Sequence, residues 1–218
     1  MTEKSQDPAA RKDYWASLAA RITDPVQTRN QRGDYSELEI EFLRPFLNPG
    51  ISVLDLGSGT GLMVNRLVDL VGKVTAVEKF QGFSQYIKQS DKLELINADL
   101  VGFRLYREFD LVLATGVMQC LEGQYVPEIY KNVYNMTRAG GYFVAHVHCG
   151  INEDVIVDRF SEELNTQYYA EYRHYQWERE QMLKAGFESV ELHDVFPDWL
   201  NKWPNTRHYL FVCHKAEG

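Results

Sequence analysis

Apolar residues change their spacing as the chain proceeds. Tyr14, Trp15, Leu18, Ala19 and Ile22 recur at helical intervals, and Asp7-Pro8 ahead of them has the form of an N-cap with proline at the first helical position. This predicts an amphipathic helix ending near Thr23 to Pro25. Residues 26–33 read as a polar loop. Asp34 or Ser36, each with a glutamate three residues later, offers a capping box for a helix running to Leu47, where Asn48-Pro49-Gly50 stops it. From residue 51 short apolar runs alternate with helical segments, the pattern of a parallel sheet covered on both faces. Strands are expected near 51–56, 73–78, 92–97, 108–114 and 140–148. Helices fit over 61–70, 82–89 and 124–137, the last closed by Gly140-Gly141. Residues 151–186 read as mostly helical and strongly aromatic, with Tyr168, Tyr169, Tyr172, Tyr175 and Trp177 before a stop at Ala185-Gly186-Phe187. Two strands, near 188–195 and 207–213, flank a final loop with Pro197, Trp199, Trp203 and Pro204.

A chain of 218 residues, 44% hydrophobic, buries one substantial core and little more, so a single domain is expected. Its net charge of −8 repels phosphate backbones, which disfavours a nucleic-acid partner. Cys120, Cys149 and Cys213 are scattered without a C-x-x-C spacing, against both a disulfide framework and a zinc site. No apolar run approaches the roughly 18 residues of a membrane span, and residues 1–15 lack an apolar signal core. The expected setting is therefore the cytoplasm, with no membrane partner. The oligomeric state is left open.

The chemistry concentrates in Val53-Leu54-Asp55-Leu56-Gly57-Ser58-Gly59-Thr60-Gly61, an apolar strand running through three glycines into a helix. Glycine serves where a ligand approaches the backbone or the chain turns with positive φ, and a helix N-terminus offers N–H groups to an anion. A dinucleotide-binding G-x-G-x-x-G would need its third glycine at position 62, which is Leu62. An acidic residue followed by G-x-G-x-G instead resembles the first motif of the class I S-adenosylmethionine-dependent methyltransferases, and the resemblance covers residues 50–148 in order. The end of the chain is also similar to that family's closing hairpin, which inserts the last strand antiparallel.

The resemblance implies an α/β fold: a seven-stranded, mostly parallel, doubly wound sheet with an antiparallel last strand and an N-terminal helical lid. Residues 1–49 would be helices and lid, 50–148 the cofactor-binding core, and 149–218 acceptor-side helices and closing hairpin. It further implies S-adenosyl-L-methionine as cofactor, S-adenosyl-L-homocysteine as product and a small-molecule acceptor. Asp55, Gly57, Ser58, Gly59 and Gly61 would form the first contact surface. Glu78 would accept the ribose hydroxyls, Asp99 the adenine amino group, and Leu100 would meet the ring through its N–H. Lys79 stands where the family often has an apolar residue, and Phe80 supplies that surface. Thr115 would lie at the junction of cofactor and acceptor, and Arg29 and Arg32 ahead of Gly33 either reach the cofactor carboxylate or belong to a solvated loop, the reading that each taken singly favours.

The acceptor side rests on the residues alone. In a strand over 142–148, Tyr142, Val144, His146 and His148 share one face, with His148 at the carboxyl end where reaction sites open. Histidine is the natural base near neutral pH, so His148 and His146 are candidate catalytic residues, His146 equally a core residue with a hydrogen-bond partner. Gln119 orients a substrate or caps a helix. The aromatic cluster from Tyr168 to Trp177 lines a pocket or covers the sheet, and helical spacing favours the covering. No ligand cluster demands a metal. The expected reaction is in-line methyl transfer governed by alignment in a water-poor site. The rivals are a catalytically silent cofactor-binding adaptor and a nicotinamide-dependent oxidoreductase.

Overall fold

The computed structural model describes residues 8–29, 33–163, 165–201 and 203–218. The strands are β1 (Ser52–Leu56), β2 (Lys73–Val77), β3 (Leu93–Ile96), β4 (Phe109–Thr115), β5 (Thr137–Gly150), β6 (Val155–Ser161), β7 (Thr166–Tyr172), β8 (Ser189–His193) and β9 (Thr206–His214). The helices are α1 (Pro8–Arg21), α2 (Ser36–Leu43), α3 (Val64–Leu67), α4 (Gln81–Ser84), α5 (Val126–Met136) and α6 (Tyr175–Ala185). Seven strands form one sheet in the order β3-β2-β1-β4-β5-β9-β8. The first five are parallel, and β9 enters antiparallel to both β5 and β8. The expected α/β class and the antiparallel last strand are therefore present.

Alternation along each strand divides the core into two layers. Leu54, Leu56, Val112, Ala114, Phe143, Ala145 and Phe211 pack on one face with the Val126, Ile129, Tyr130 and Val133 stripe of α5 and with Met182 of α6. Val53, Val74, Leu111, Leu113, Val144 and Leu210 pack on the other with Ile40 and Leu43 of α2 and Val64 and Leu67 of α3. Burying each such aliphatic side chain stabilises the fold by about 1.5–3 kcal/mol before conformational entropy is counted.

The largest departure from the sequence reading is at 151–186. Residues 155–172 form an antiparallel two-stranded ribbon, β6–β7, and only α6 is helical there. The aromatic run fits either periodicity, and tertiary packing decided for the strand: Ala170 and Tyr172 are buried against Val157, while Ile156 and Phe160 are exposed. The acceptor-side helices reduce accordingly to one. Several helices are shorter than their apolar patterns. The second helix ends at Leu43 and continues as a 3-10 turn, Arg44–Phe46, at Pro45. The expected capping box there is replaced by Asp34 Oδ1, which accepts from the Ser36 N–H at 3.0 Å and the Ser36 hydroxyl at 2.5 Å. Gly140-Gly141 does not close α5. Thr137 ends that helix and starts β5, and Gly140, with φ 70°, lies within the strand where register shifts between Phe109 and Leu111. The Asp7 cap lies outside the described residues.

Helix α1 packs beside α4 and β7, burying Leu18, Ala19 and Ile22 against Phe83. The helices meet closely because of Gly82, where any Cβ would collide with the Ala19 carbonyl. Beyond α1, a 3-10 turn (Pro25–Thr28) is capped by Asp24, whose carboxylate accepts the Val26 N–H at 3.0 Å. Thr60 of the glycine loop donates to Pro25 O at 2.8 Å. Among the described residues no helix is long and apolar enough to cross a membrane, and no group of three or more potential metal ligands occurs. Gly82→Val should force α1 off α4, costing roughly 1–3 kcal/mol as overpacking does. The check is a lowered Tm with faster tryptic cleavage at Arg21; an unchanged rate at Arg21 would mean that the close approach is not needed.

Candidate active site

The glycine loop is built by its own backbone and by Glu78. Gly57, Gly59 and Gly61 have φ values of 71°, 54° and 77°, a region that L side chains rarely adopt. The N–H groups of Gly57 and Ser58 both donate to Val77 O, so they continue the β1–β2 pairing. Glu78 accepts the Gly59 N–H at 2.8 Å on one oxygen and the Phe80 N–H at 2.8 Å on the other. Burial raises its pKa, partly offset by those backbone donors. Each oxygen keeps a further lone pair.

A cavity of 370 Å³ opens above this loop. Of the predicted cofactor residues, Gly57, Ser58, Gly59, Glu78, Lys79, Phe80, Asp99, Leu100 and Thr115 line it. Lys79 and Asp99 form an ion pair at 2.7 Å on its rim. Gly61 faces away: a Cβ there would press on Ile87, so its role is packing. Asp55 lies beneath the loop, 1% exposed, with both carboxylate oxygens lacking a hydrogen-bond partner. Its pKa is pushed up to about 6, first by burial, with Ser58 and then Arg29 opposing. Arg32 lies outside the described residues. Arg29 is described and lines the cavity, its guanidinium 3.4 Å from Glu39 Oε2 and 5.0 Å from the Tyr35 ring centre.

A second cavity, of 540 Å³, adjoins the first. The two share Trp15, Thr28, Arg29, Gly116 and Cys120. Here His146, His148 and Gln119 come together with a third histidine, His208. Strand pairing explains the cluster, since His148 stands opposite His208 in the β5–β9 register. Contrary to the sequence reading, His148 is not at the strand end. β9 pairs with β5 as far as Gly150, so His148 is interior and 2% exposed.

The Thr206 hydroxyl donates to Trp203 O at 2.6 Å, so it accepts from His148 Nε2 at 2.8 Å. His148 is thereby held as the Nε2–H tautomer, with Nδ1 as the lone pair, and the neighbouring His208 Nε2 is buried without a hydrogen-bond partner. Its ring stacks on His208 at 3.8 Å. Burial, with His146 nearby, lowers the His148 pKa to about 3, and His208 is lowered for the same first reason. His146 is buried between Glu39, whose Oε1 is 2.5 Å from Nδ1, and His208 Nδ1, 2.9 Å from Nε2. Gln119 Nε2 donates to Gly116 O at 2.8 Å and leaves Oε1 buried without a partner.

Glu39, Thr206 and His208 were not legible as site residues. Glu39 sits in α2 with the look of a surface glutamate, and His208 gains its meaning only from register. The signal available was the alternation of His208 with Leu210 and Val212, which marks one strand face. Tyr168 and Tyr172 of β7, read as sheet covering, instead line the second cavity.

Comparison with known proteins places this geometry. The family model described as a methyltransferase domain matches residues 53–141. The chain is 22% identical over 162 residues to phosphoethanolamine N-methyltransferase 3 of Arabidopsis thaliana, covering 68% of this chain and 32% of that one. Residues 53–141 thus match a methyltransferase domain, and the chain as a whole has the methyltransferase α/β fold. It spans about a third of the length of the curated relative it matches. Among solved structures, the DhpI–SAH complex superposes with a TM-score of 0.70 at 18% identity, over 95% of this chain and 96% of that one. Phosphoethanolamine N-methyltransferase 1 of Haemonchus contortus, solved with phosphoethanolamine and S-adenosylhomocysteine, gives 0.71 at 16% identity over 96% and 49%.

A methyltransferase cofactor carries an ammonium, ribose hydroxyls and an adenine, and the first cavity fits these groups. Orphaned Asp55 oxygens lie under it, Glu78 has lone pairs to spare, and a Cβ at Gly59 would meet only open space. Asp55 has a pKa raised from 3.8 to about 6, so folding favours its neutral form. Its ionisation weakens the ligand-free fold as pH rises from about 4 through 6, by up to about 3 kcal/mol at 1.36 kcal/mol per pKa unit. Ligand-free Asp55→Asn should thus gain stability relative to wild type across that window and hold the gain above it. Denaturant titrations at pH 4.5 and 7.5 check this, and an equal difference at the two values would refute the shift.

Proposed function

We propose that this protein transfers a methyl group from S-adenosylmethionine to the nitrogen or oxygen of a small acceptor bound among the histidines. The observation that carries the reading is the pair of adjoining cavities, one over the glycine loop and Glu78, the other lined by His146, His148, His208 and Gln119. When bound, the cofactor supplies an electrophilic methyl on a sulfonium. Glu78 would accept the ribose hydroxyls through lone pairs that the Gly59 and Phe80 N–H groups do not use. Asp99, Leu100 and Phe80 would frame the adenine. Asp55, with Arg29, would set the charge beneath the methionine portion.

Two acceptor atoms present themselves on the second cavity: Gln119 Oε1, buried without a partner as is His208 Nε2, and His148 Nδ1, the ring nitrogen that Thr206 does not engage. Lone pairs of this kind suit a substrate atom that carries hydrogen, an amine or a hydroxyl, and hold its own lone pair toward the first cavity. With a pKa near 3, His148 is neutral throughout the physiological range, so it orients the nucleophile and takes its proton only as the new bond forms. His146, closed in by Glu39 and His208, supports the wall. Residues 1–33 serve as a lid, a reading supported by Trp15 and Thr28 on both cavities and by Thr60 holding Pro25 O. The relatives named for phosphoethanolamine make phosphoryl-bearing amines and alcohols the first acceptors to try.

S-adenosylhomocysteine should raise the Tm saturably while NAD does not, since a ligand that binds only the native state stabilises it by mass action. A shift with NAD alone would return the chain to the oxidoreductases. Glu78→Ala should weaken S-adenosylhomocysteine by roughly 1.5–3 kcal/mol in calorimetry, the scale of a hydrogen bond to a charged group. In assays of S-adenosylhomocysteine formation with phosphoethanolamine and related amines and alcohols, His148→Ala should reduce turnover by roughly 10²–10⁴ with cofactor affinity intact. Wild-type turnover should show no limb from His148 between pH 5 and 8, and a limb near 6.5 that disappears in His148→Ala would contradict the buried, neutral assignment.

A further inference from the structure

The wall between the cavities is the segment after β4. Its Gly116, Val117, Cys120, Leu121, Glu122 and Tyr125 line the cofactor-side cavity, and on the other side it meets β7. Arg173, just past β7 and 4% exposed, fastens the two together. One guanidinium nitrogen donates to Met118 O at 2.5 Å and another to Leu121 O at 2.8 Å. The third, Nε, donates to Glu178 Oε1 at 2.6 Å, whose other oxygen accepts the Tyr130 hydroxyl at 2.5 Å. Glu171 completes the clamp: its Oε2 lies 3.4 Å from Arg173 and accepts the Gly123 N–H at 2.8 Å. Its Oε1 takes the Tyr169 hydroxyl at 2.5 Å.

Alternation along β7 makes this clamp directional. Tyr168 and Tyr172 face the acceptor-side cavity, and Tyr169 the cofactor-side one. A buried arginine held by a carboxylate and spent on two loop carbonyls is costly to desolvate, and a planar fork reaching three directions is what this position uses. None of its donors points into either cavity's chemistry.

We propose that Arg173 is a positioning residue that transmits cofactor occupancy to the acceptor side. Filling the first cavity steadies the 116–123 wall, and Arg173 with Glu171 passes that order to the β6–β7 ribbon, so the acceptor wall is set after the cofactor binds. The proposal rests on the cofactor reading above. Its test uses S-adenosylhomocysteine as the probe and amide hydrogen exchange as the readout, in wild type, Arg173→Lys and Glu171→Ala. Lysine keeps the charge beside Glu178 but cannot reach Met118 and Leu121 together. Wild type with probe should show slowed exchange in both 116–125 and 155–172, the latter by about 5-fold or more, the scale of a site-to-site coupling. Arg173→Lys should bind the probe within about threefold of wild type and keep the slowing at 116–125, but lose it at 155–172. Glu171→Ala, at a partly exposed position, should give the same pattern and carries the test if Arg173→Lys does not fold. Slowing at 155–172 that persists in the folded variants would show direct contact by the ligand and overturn the role of Arg173. Probe binding to wild type without any slowing at 155–172 also overturns it, leaving the cofactor reading intact. Absence of probe binding to wild type overturns both.

Discussion

The register in which β9 enters beside β5 governs most of what is distinctive here. Nine residue pairs, from Tyr142–His214 to Gly150–Thr206, fix which side chains of the two strands share a face. His146 and His148 then each fall within ring contact of His208, and Thr206 comes within hydrogen-bond reach of His148. A slip of β9 by one residue would send Thr206 and His208 to the opposite layer, among Phe143, Ala145 and Phe211, and away from His146 and His148. The apolar residues of β9 therefore specify the polar site indirectly, by making every other register expensive.

Charge burial is resolved differently at the two cavities. Glu39 is fully buried yet held below its ordinary pKa, because Arg29 and the His146 ring outweigh the cost of removing it from water. At Asp55 the opposing effects of Ser58 and Arg29 do not make up for burial, and burial wins. The two carboxylates share the field of Arg29, which stands where the cavities meet. One acid is thus used up by the protein, and the other keeps both oxygens without a hydrogen-bond partner. Glu78 is intermediate: its backbone donors are enough to make it build the glycine loop without exhausting its lone pairs.

The same economy of partners marks the acceptor side. His146 is spent on Glu39 and His208, whereas His148 is spent on one side only, with the Thr206–Trp203 chain choosing its tautomer. In the proposed methyl transfer, a neutral imidazole so placed would contribute direction more than basicity, as a reaction whose barrier depends on aligning nucleophile, methyl carbon and sulfur requires. Arg173, outside both cavities, belongs with these constraints through the loop carbonyls it holds.

The glycine spacing, the carboxylate ending the second strand and the apolar alternation were decisive in the sequence because they report on local backbone: where φ must be positive, where a strand stops, which face is covered. These features determined the α/β sheet and the antiparallel last strand, and they picked out nine of the residues that line the first cavity. They even separated this loop from a dinucleotide fingerprint by one position, Leu62. The ribbon at 155–172 was not legible, since Tyr168, Tyr169 and Tyr172 suit helix or strand, and their packing against Val157 and the acceptor-side cavity alone chose between them. Nor were Glu39, His208 and Arg173. Each acts through a partner more than fifty positions away or on another element, His208 on His146, Glu39 on the same ring, Arg173 on Met118 and Leu121. A buried polar group is assigned its role by the partner that offsets its desolvation, and only the tertiary structure supplies that partner.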